Sequence, residues 1–147
     1  MAKNPKTHPQ RSRLRKSRRF EDLVRIMDIL LSEKGCPWDR EQTHRTLIKY
    51  LHEEAGEVAD AVRKKDWENL KEELGDVLLQ VVFHSALAAR AGRFGIRDVI
   101  KHINSKLVRR HPHVFGDKSF KTPAEVLVEW NKIKKGEKSA KPARGRK

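Results

Sequence analysis

Apolar residues recur at helical spacing in five successive segments, and no stretch alternates in the way of a β-strand. These segments cover residues 20–33, 43–63, 67–91, 96–111 and 123–135. Gly35 and Pro37 end the first segment, and Gly136 closes the last. The last segment opens with Thr122-Pro123-Ala124-Glu125, a capping box with proline at the first helical position. The pattern predicts an all-α fold of four to five helices.

The third of these segments is apolar around nearly its whole circumference. It includes Val77, Leu78, Leu79, Val81, Val82, Phe83, Ala86, Leu87, Ala88 and Ala89. A helix of this kind cannot lie on the surface of a small monomer. We therefore expect a helix bundle formed through homodimerisation, or a higher homo-oligomer.

The two ends of the chain differ from its middle in charge. Residues 1–19 carry a net charge of +8 and residues 132–147 carry +7, so residues 20–131 are near neutral at −1. Both ends are poor in large apolar residues, which predicts disordered basic tails over 1–19 and 137–147 around a folded domain of residues 20–136. The tails suit weak contact with nucleic acid but say little about the domain.

The single cysteine, Cys36, cannot form an intramolecular disulfide and has no zinc-type neighbours, so we expect a reducing compartment, the cytoplasm. The basic N-terminus lacks the apolar core of a signal peptide. No apolar run approaches the roughly 20 residues of a membrane helix. These features predict a protein without a membrane partner.

Two acidic pairs carry the strongest chemical signal. Glu54 and Glu57 lie three residues apart on the second helix, and Glu73 and Asp76 lie three apart on the third. On a helical wheel Glu54 falls inside the apolar arc and Glu57 on its border, whereas Glu53 turns outward. On the third helix, a narrow polar stripe runs along an apolar cylinder and contains Glu73, Asp76, Gln80 and His84.

Carboxylates that point into a core need a compensating charge, because burying an unpaired charge is costly. A divalent cation supplies that charge, and an all-oxygen donor set favours Mg²⁺, with Mn²⁺ as a substitute. Lys or Arg from another helix would be the alternative, and the residues alone do not separate the two. A metal with open water positions suits phosphoryl or nucleotidyl chemistry.

Other candidates are weaker when taken singly. Lys106 and Arg110 share a face at the end of the fourth helix and suit phosphate oxygens, although bases are common at helix C-termini. Trp38, Trp67 and Trp130 are candidates for base stacking or for the core. Four histidines lack metal-site spacing and are interpreted as structural or supporting groups: His44, His84, His111 and His113.

Taken together, these segments resemble the MazG family of all-α nucleotide pyrophosphohydrolases over roughly residues 20–137. The matching residues are Gly35-Cys36-Pro37-Trp38-Asp39, Gln42-Thr43-His44, Tyr50-Leu51, Glu53-Glu54, Glu57-Val58, Glu73-Leu74-Gly75-Asp76, Leu78 to His84, Lys106-Leu107, Arg109 to Gly116, Trp130 and Ile133-Lys134.

The resemblance implies a Mg²⁺-dependent hydrolase that splits nucleoside triphosphates into monophosphate and pyrophosphate in nucleotide-pool housecleaning. It implies Glu54, Glu57, Glu73 and Asp76 as metal ligands. It further implies that Lys106, Arg109 and Arg110 contact the triphosphate and that Trp130 and Lys134 close over the nucleotide. Glu53 has no metal role in this assignment. It is the candidate catalytic residue, whose carboxylate would orient or deprotonate the attacking water.

Two alternatives stay open at this point. One is a helical nucleic-acid-binding protein that acts through its basic tails, with structural carboxylates. The other keeps the fold but narrows the substrate, since related all-α enzymes act on dUTP, dCTP or phosphoribosyl-ATP. Spacing alone does not reveal the shape of a base pocket.

Overall fold

The computed structural model describes residues 9–141, and over these residues it contains helices and connecting turns without a β-strand. The helices are α1 (Pro9–Lys16), α2 (Phe20–Leu30), α3 (Pro37–Glu41), α4 (His44–Lys64), α5 (Trp67–Arg90), α6 (Ile96–Arg110), α7 (Pro112–Phe115) and α8 (Pro123–Ala140). The predicted all-α class is confirmed, and the five long helices α2, α4, α5, α6 and α8 correspond to the five periodic segments.

The chain divides into two compact units, one ending at Ile96 and the other beginning at Arg97. In the first unit, α5 packs against both α4 and α2. The core between these helices consists of buried side chains: Met27, Leu31, Leu47, Val82 and Phe83. Because α2 contributes its apolar stripe to this core, it covers one side of the α4–α5 pair.

A tight turn makes α4 and α5 antiparallel. Lys65 ends α4 in the left-handed conformation, with φ of 55°. The side chain of Asp66 then caps α5 by accepting a hydrogen bond from the backbone N–H of Asn69 at 3.1 Å. Asp is a favoured N-cap residue, so Asp66 fixes where α5 begins.

The N-terminal tail prediction is not confirmed for residues 9–16, which form α1. Arg13 Nη2 donates to Asp22 Oδ1 at 2.9 Å, and Ser17 Oγ donates to Asp22 Oδ2 at 2.6 Å. The hydrogen bond from Ser17, followed by that from Arg13, holds the pKa of the Asp22 carboxyl below its ordinary value. Sequence reasoning treated the segment as an acid-free arm and did not consider that a buried acid of α2 binds it. Residues 1–8 lie outside the described part of the chain.

The predicted end of the last helix at Gly136 is wrong. Helix α8 continues through Gly136 to Ala140, so residues 137–140 are helical rather than part of a tail. Its start is as predicted, since Thr122 and Glu125 form the capping box and Pro123 follows the cap. The Glu137 side chain makes ion pairs within its own unit, which favours continuing the helix past a residue of low helix propensity. Residues 142–147 lie outside the described range.

No helix among the described residues is both long enough and apolar enough to cross a membrane.

Candidate functional site

Three of the four predicted metal ligands meet in the first unit. Glu54 and Glu57 on α4 and Glu73 on α5 each present a carboxylate oxygen, and these three oxygens lie within 4.8 Å of one another. The antiparallel turn makes this convergence possible, because it sets the middle of α4 beside the first half of α5. Glu73 is buried, Glu54 is half-buried and Glu57 is exposed. The helical wheel likewise placed Glu54 further inside the apolar arc than Glu57.

Burial and mutual repulsion both act on these carboxyl groups. Burial raises the pKa of Glu73 to about 6, with further contributions from a hydrogen bond to Glu57 and from the charges of Glu57, Asp76 and Glu54. Burial also raises the pKa of Glu54, and the negative charges of Asp76, Glu57 and Glu53 raise it further. The cluster therefore favours taking up positive charge, as a proton or as a cation.

Within residues 12–141, neither Lys nor Arg pairs with any carboxylate of this cluster; the ion pairs there involve other acids. The interpretation of these acids as one half of a salt-bridge network has no support in the described residues. Close carboxylates without a cationic neighbour fit a divalent ion, and an all-oxygen donor set fits a hard ion such as Mg²⁺.

Asp76 and Glu53 lie beside the three-oxygen group without belonging to it. Asp76 is half-buried on α5, and its charge raises the pKa of both Glu54 and Glu73. Glu53 is exposed on α4, and its charge raises the pKa of Glu54. Both carboxylates are thus close enough to act electrostatically on the cluster.

The polar stripe of α5 continues beyond the acids to Gln80 and His84. Gln80 is buried, and its Oε1 has no hydrogen-bonding partner within the described chain; the same holds for Nε2 of His84. The rings of His84 and His44 stack with 5.1 Å between centroids, and their Nδ1 atoms lie 2.8 Å apart. Sequence reasoning named both histidines without seeing that they form a pair, because 40 residues separate them.

The predicted phosphate-binding arginines lie together in the second unit. Arg109 and Arg110, at the end of α6, both donate hydrogen bonds to Glu137 of α8. The Cζ atom of Arg110 lies 5.1 Å from the centroid of the Trp130 ring, in a cation–π arrangement. The ring of His111 packs edge-on against the same tryptophan at 5.1 Å.

Two predicted lysines extend this basic group on its two helices. Lys106 is half-buried one turn before Arg110 on α6, and Lys134 is exposed one turn after Trp130 on α8. Lys134 also lines a surface depression together with Lys132, Lys135 and Lys138. Glu137 is the residue that sequence reasoning missed here; its signal was that it is the one acid among the last 16 residues.

The other tryptophans lie in the first unit and are not core residues. Trp38 is 51% exposed and packs edge-on against Tyr50, with ring centroids 5.8 Å apart. Trp67, at the start of α5, is 69% exposed. Of the two interpretations open for these side chains, burial in the core is therefore wrong for both.

Comparison with known proteins shows which family this chain is similar to. The model of the MazG nucleotide pyrophosphohydrolase domain matches residues 42–115. A nucleoside triphosphate pyrophosphohydrolase/pyrophosphatase MazG of Thermotoga maritima is 52% identical over 122 residues, which are 83% of this chain and 46% of that protein. A nucleoside triphosphate pyrophosphohydrolase of Escherichia coli is 46% identical over 123 residues, covering 83% of this chain and 47% of that protein.

A solved structure has a similar fold. The crystal structure of a mazG-related protein from Thermotoga maritima superposes with a TM-score of 0.66 at 32% identity, covering 78% of this chain and 98% of that one. Helical fold and carboxylate cluster together define an all-α domain with a candidate cation site. The chain belongs to the MazG family. It spans about half the length of the curated relatives it matches.

Proposed function

We propose that this chain is a Mg²⁺-dependent nucleoside triphosphate pyrophosphohydrolase. Water attacks between the α- and β-phosphates, the bridging phosphoanhydride bond breaks, and nucleoside monophosphate and pyrophosphate leave. One observation carries the proposal: three carboxylate oxygens lie within 4.8 Å of one another in a chain of the MazG family. The absence of a cationic neighbour among the described residues is the reason to assign them to a metal rather than to a salt bridge.

We assign the metal to Glu54, Glu57 and Glu73, with Asp76 as the fourth ligand. When bound there, Mg²⁺ neutralises phosphate charge and lowers the pKa of a coordinated water. We assign Glu53 to the attacking water as its general base. Glu53 is exposed, adjacent to the cluster, and does not contribute one of the three converging oxygens. Its carboxylate would accept the proton that the attacking water gives up.

We assign the polyphosphate chain to Lys106, Arg109 and Arg110, and closure over the nucleotide to Trp130 and Lys134. Arginine suits this task because its planar guanidinium pairs with two phosphate oxygens at once. The cation–π contact between Arg110 and Trp130 supports a shared role, since it links the phosphate-binding residue to the one assigned to the nucleotide.

The experiment is a panel of nucleoside and deoxynucleoside triphosphates, including dUTP and dCTP, with separate detection of pyrophosphate and phosphate. We expect pyrophosphate and monophosphate in Mg²⁺ or Mn²⁺, and none in EDTA. Glu54→Gln should abolish the release, whereas Glu72→Gln, an exposed acid of α5 without a ligand role, should not. Release of single phosphates, or activity that persists in EDTA, would contradict the proposal. The same panel reports the nucleotide preference expected of a housecleaning enzyme in the cytoplasm.

We also propose that the active form is a homodimer. Large apolar side chains on one flank of α5 remain exposed in the single chain: Leu74 at 52%, Leu78 at 40% and Val81 at 39%. Their spacing of four and three residues forms one stripe, which a second copy would bury. Leu78→Glu should convert the dimer into a monomer in light scattering; a wild-type chain that is monomeric at all concentrations would reject this assignment.

A nucleic-acid-binding protein remains the competing function. The observation in its favour is the lysine-lined depression on α8 that includes Lys134. Replacing Lys132, Lys135 and Lys138 by Gln separates the two functions, since binding to RNA or DNA should then collapse while pyrophosphate release continues.

A further inference from the structure

A single carboxylate in the second unit binds two consecutive arginines. Glu137 Oε1 accepts a hydrogen bond from Arg109 Nε at 2.7 Å and a longer one from Arg110 Nε at 3.4 Å. Glu137 Oε2 accepts from Arg110 Nη2 at 2.7 Å. The carboxylate thus forms a bidentate contact with the Nε–Nη2 edge of the Arg110 guanidinium and a single hydrogen bond with Nε of Arg109.

The two arginines differ sharply in exposure. The Arg110 side chain is 10% exposed and that of Glu137 19%, whereas the Arg109 side chain is 51% exposed. A guanidinium as buried as that of Arg110 requires a charged partner, and Glu137 supplies it. The hydrogen bonds from Arg110 and Arg109 lower the pKa of the Glu137 carboxyl to about 2, so the partner is ionised at neutral pH.

Glu137 does not use all the donors that these arginines carry. A guanidinium has five N–H groups. The Nη1 group of Arg110 and both Nη groups of Arg109 have no hydrogen-bonding partner among residues 12–141. One carboxylate therefore fixes the orientation of both side chains and leaves nitrogens of each for a second anion.

We propose that Glu137 is a positioning residue for polyphosphate binding: it holds Arg110 against Trp130 and aligns Arg109, so that the remaining guanidinium nitrogens meet the phosphates of a nucleoside triphosphate. This inference rests on the proposed function, which assigns both arginines to the triphosphate. The opposite reading of the same contact is competition, in which Glu137 occupies the place of a phosphate and weakens substrate binding. The two readings predict shifts of KM in opposite directions.

Glu137→Gln tests the inference, with Glu129→Gln as the matched control. Glu129 lies on the same helix, forms an ion pair with Lys118 and has a side chain 16% exposed. Among the described residues, the ion-pair partner of both arginines is Glu137 and not Glu129. Charged hydrogen bonds of this type are worth enough to expect KM for the triphosphate to rise at least about tenfold in Glu137→Gln. We expect kcat to stay near the wild-type value in that variant, and Glu129→Gln to leave both constants unchanged.

A binding measurement separates positioning from turnover. Calorimetric titration with inorganic tripolyphosphate should show the affinity falling by a factor similar to the rise in KM in Glu137→Gln, and not in Glu129→Gln. An unchanged or lower KM in Glu137→Gln, or an unchanged affinity for tripolyphosphate, overturns the inference. Equal losses in the two variants overturn it as well, because they would show a merely structural effect.

Two further results keep the outcomes distinct. If the wild-type chain releases no pyrophosphate, the proposed function fails, and tripolyphosphate binding still decides the role of Glu137. If Glu137→Gln loses helical circular dichroism, Glu137→Asp replaces it: the shorter carboxylate keeps the charge but cannot reach both arginines as before. KM must then rise with kcat preserved, and an unchanged KM overturns the inference.

Discussion

Glu73→Gln should uncouple the stability of this protein from magnesium. Glu73 is the most buried of the three converging acids, at 8% exposure, and it donates one of the three oxygens. A cation that binds only the folded chain stabilises it by about 2.7 kcal/mol at one hundred times its Kd. For a chain of 147 residues this corresponds to a rise in Tm of about 5–10 °C.

Loss of a hydrogen-bonding partner behind a metal ligand already weakens metal binding by about 10–100-fold. Removal of a charged ligand itself from a three-carboxylate set should therefore weaken cation binding at least about a hundredfold. The same magnesium concentration then equals the new Kd, and the stabilisation falls to about 0.4 kcal/mol, or about 1 °C in Tm. Without metal, the order of the melting temperatures of wild type and variant reverses. The variant should melt above the wild type at pH 7 and higher, because a neutral amide replaces a buried carboxylate that has no cationic neighbour among the described residues.

Thermal unfolding followed by circular dichroism, with and without MgCl₂, is the assay. Glu72→Gln serves as the control, since this neighbouring acid is exposed and should respond to magnesium as the wild type does. Equal stabilisation of wild type and Glu73→Gln by magnesium would refute the reasoning. So would a metal-free variant that is less stable than the wild type at pH 7, because it would mean that the carboxylate is compensated by a group within the protein.

Further predictions test other parts of the fold. In EDTA the wild type should lose stability as pH rises from 4.5 to about 6, because the folded chain holds the Glu73 proton more tightly than the unfolded chain does. Melting temperatures measured across this pH range test the prediction, and a Tm that does not change with pH contradicts it. Gly35→Ala should destabilise by at least about 2 kcal/mol in urea unfolding, since a Cβ would lie 2.1 Å from the Leu30 carbonyl oxygen. Gly136→Ala should instead stabilise by about 0.5–1 kcal/mol, because a Cβ there meets nothing within 4 Å inside a continuous helix; a loss would contradict the continuation of α8. Thr122→Ala should cost about 1 kcal/mol through loss of the capping box, and unchanged denaturation would contradict that role.

The helices and the inward acids were predictable because both follow from local periodicity. Apolar spacing set the start of α5 at Trp67, and the Thr122 cap set the start of α8. The wheel positions of Glu54 and Glu73 also came from spacing alone, because side chains three or four residues apart share a helix face. In the structure Glu73 is buried and Glu54 is half-buried, which agrees with that reasoning.

What the sequence left open concerns contacts between residues distant along the chain. Spacing allowed either a metal or a salt bridge at the acids, and only the packing of α4 on α5 brought three oxygens within 4.8 Å without a cationic neighbour among the described residues. Two ion pairs were also not predicted: Arg13 with Asp22, nine residues away, and Arg110 with Glu137, 27 residues away. They turned parts of two predicted tails into helix, since a partner supplied by tertiary structure outweighs local composition.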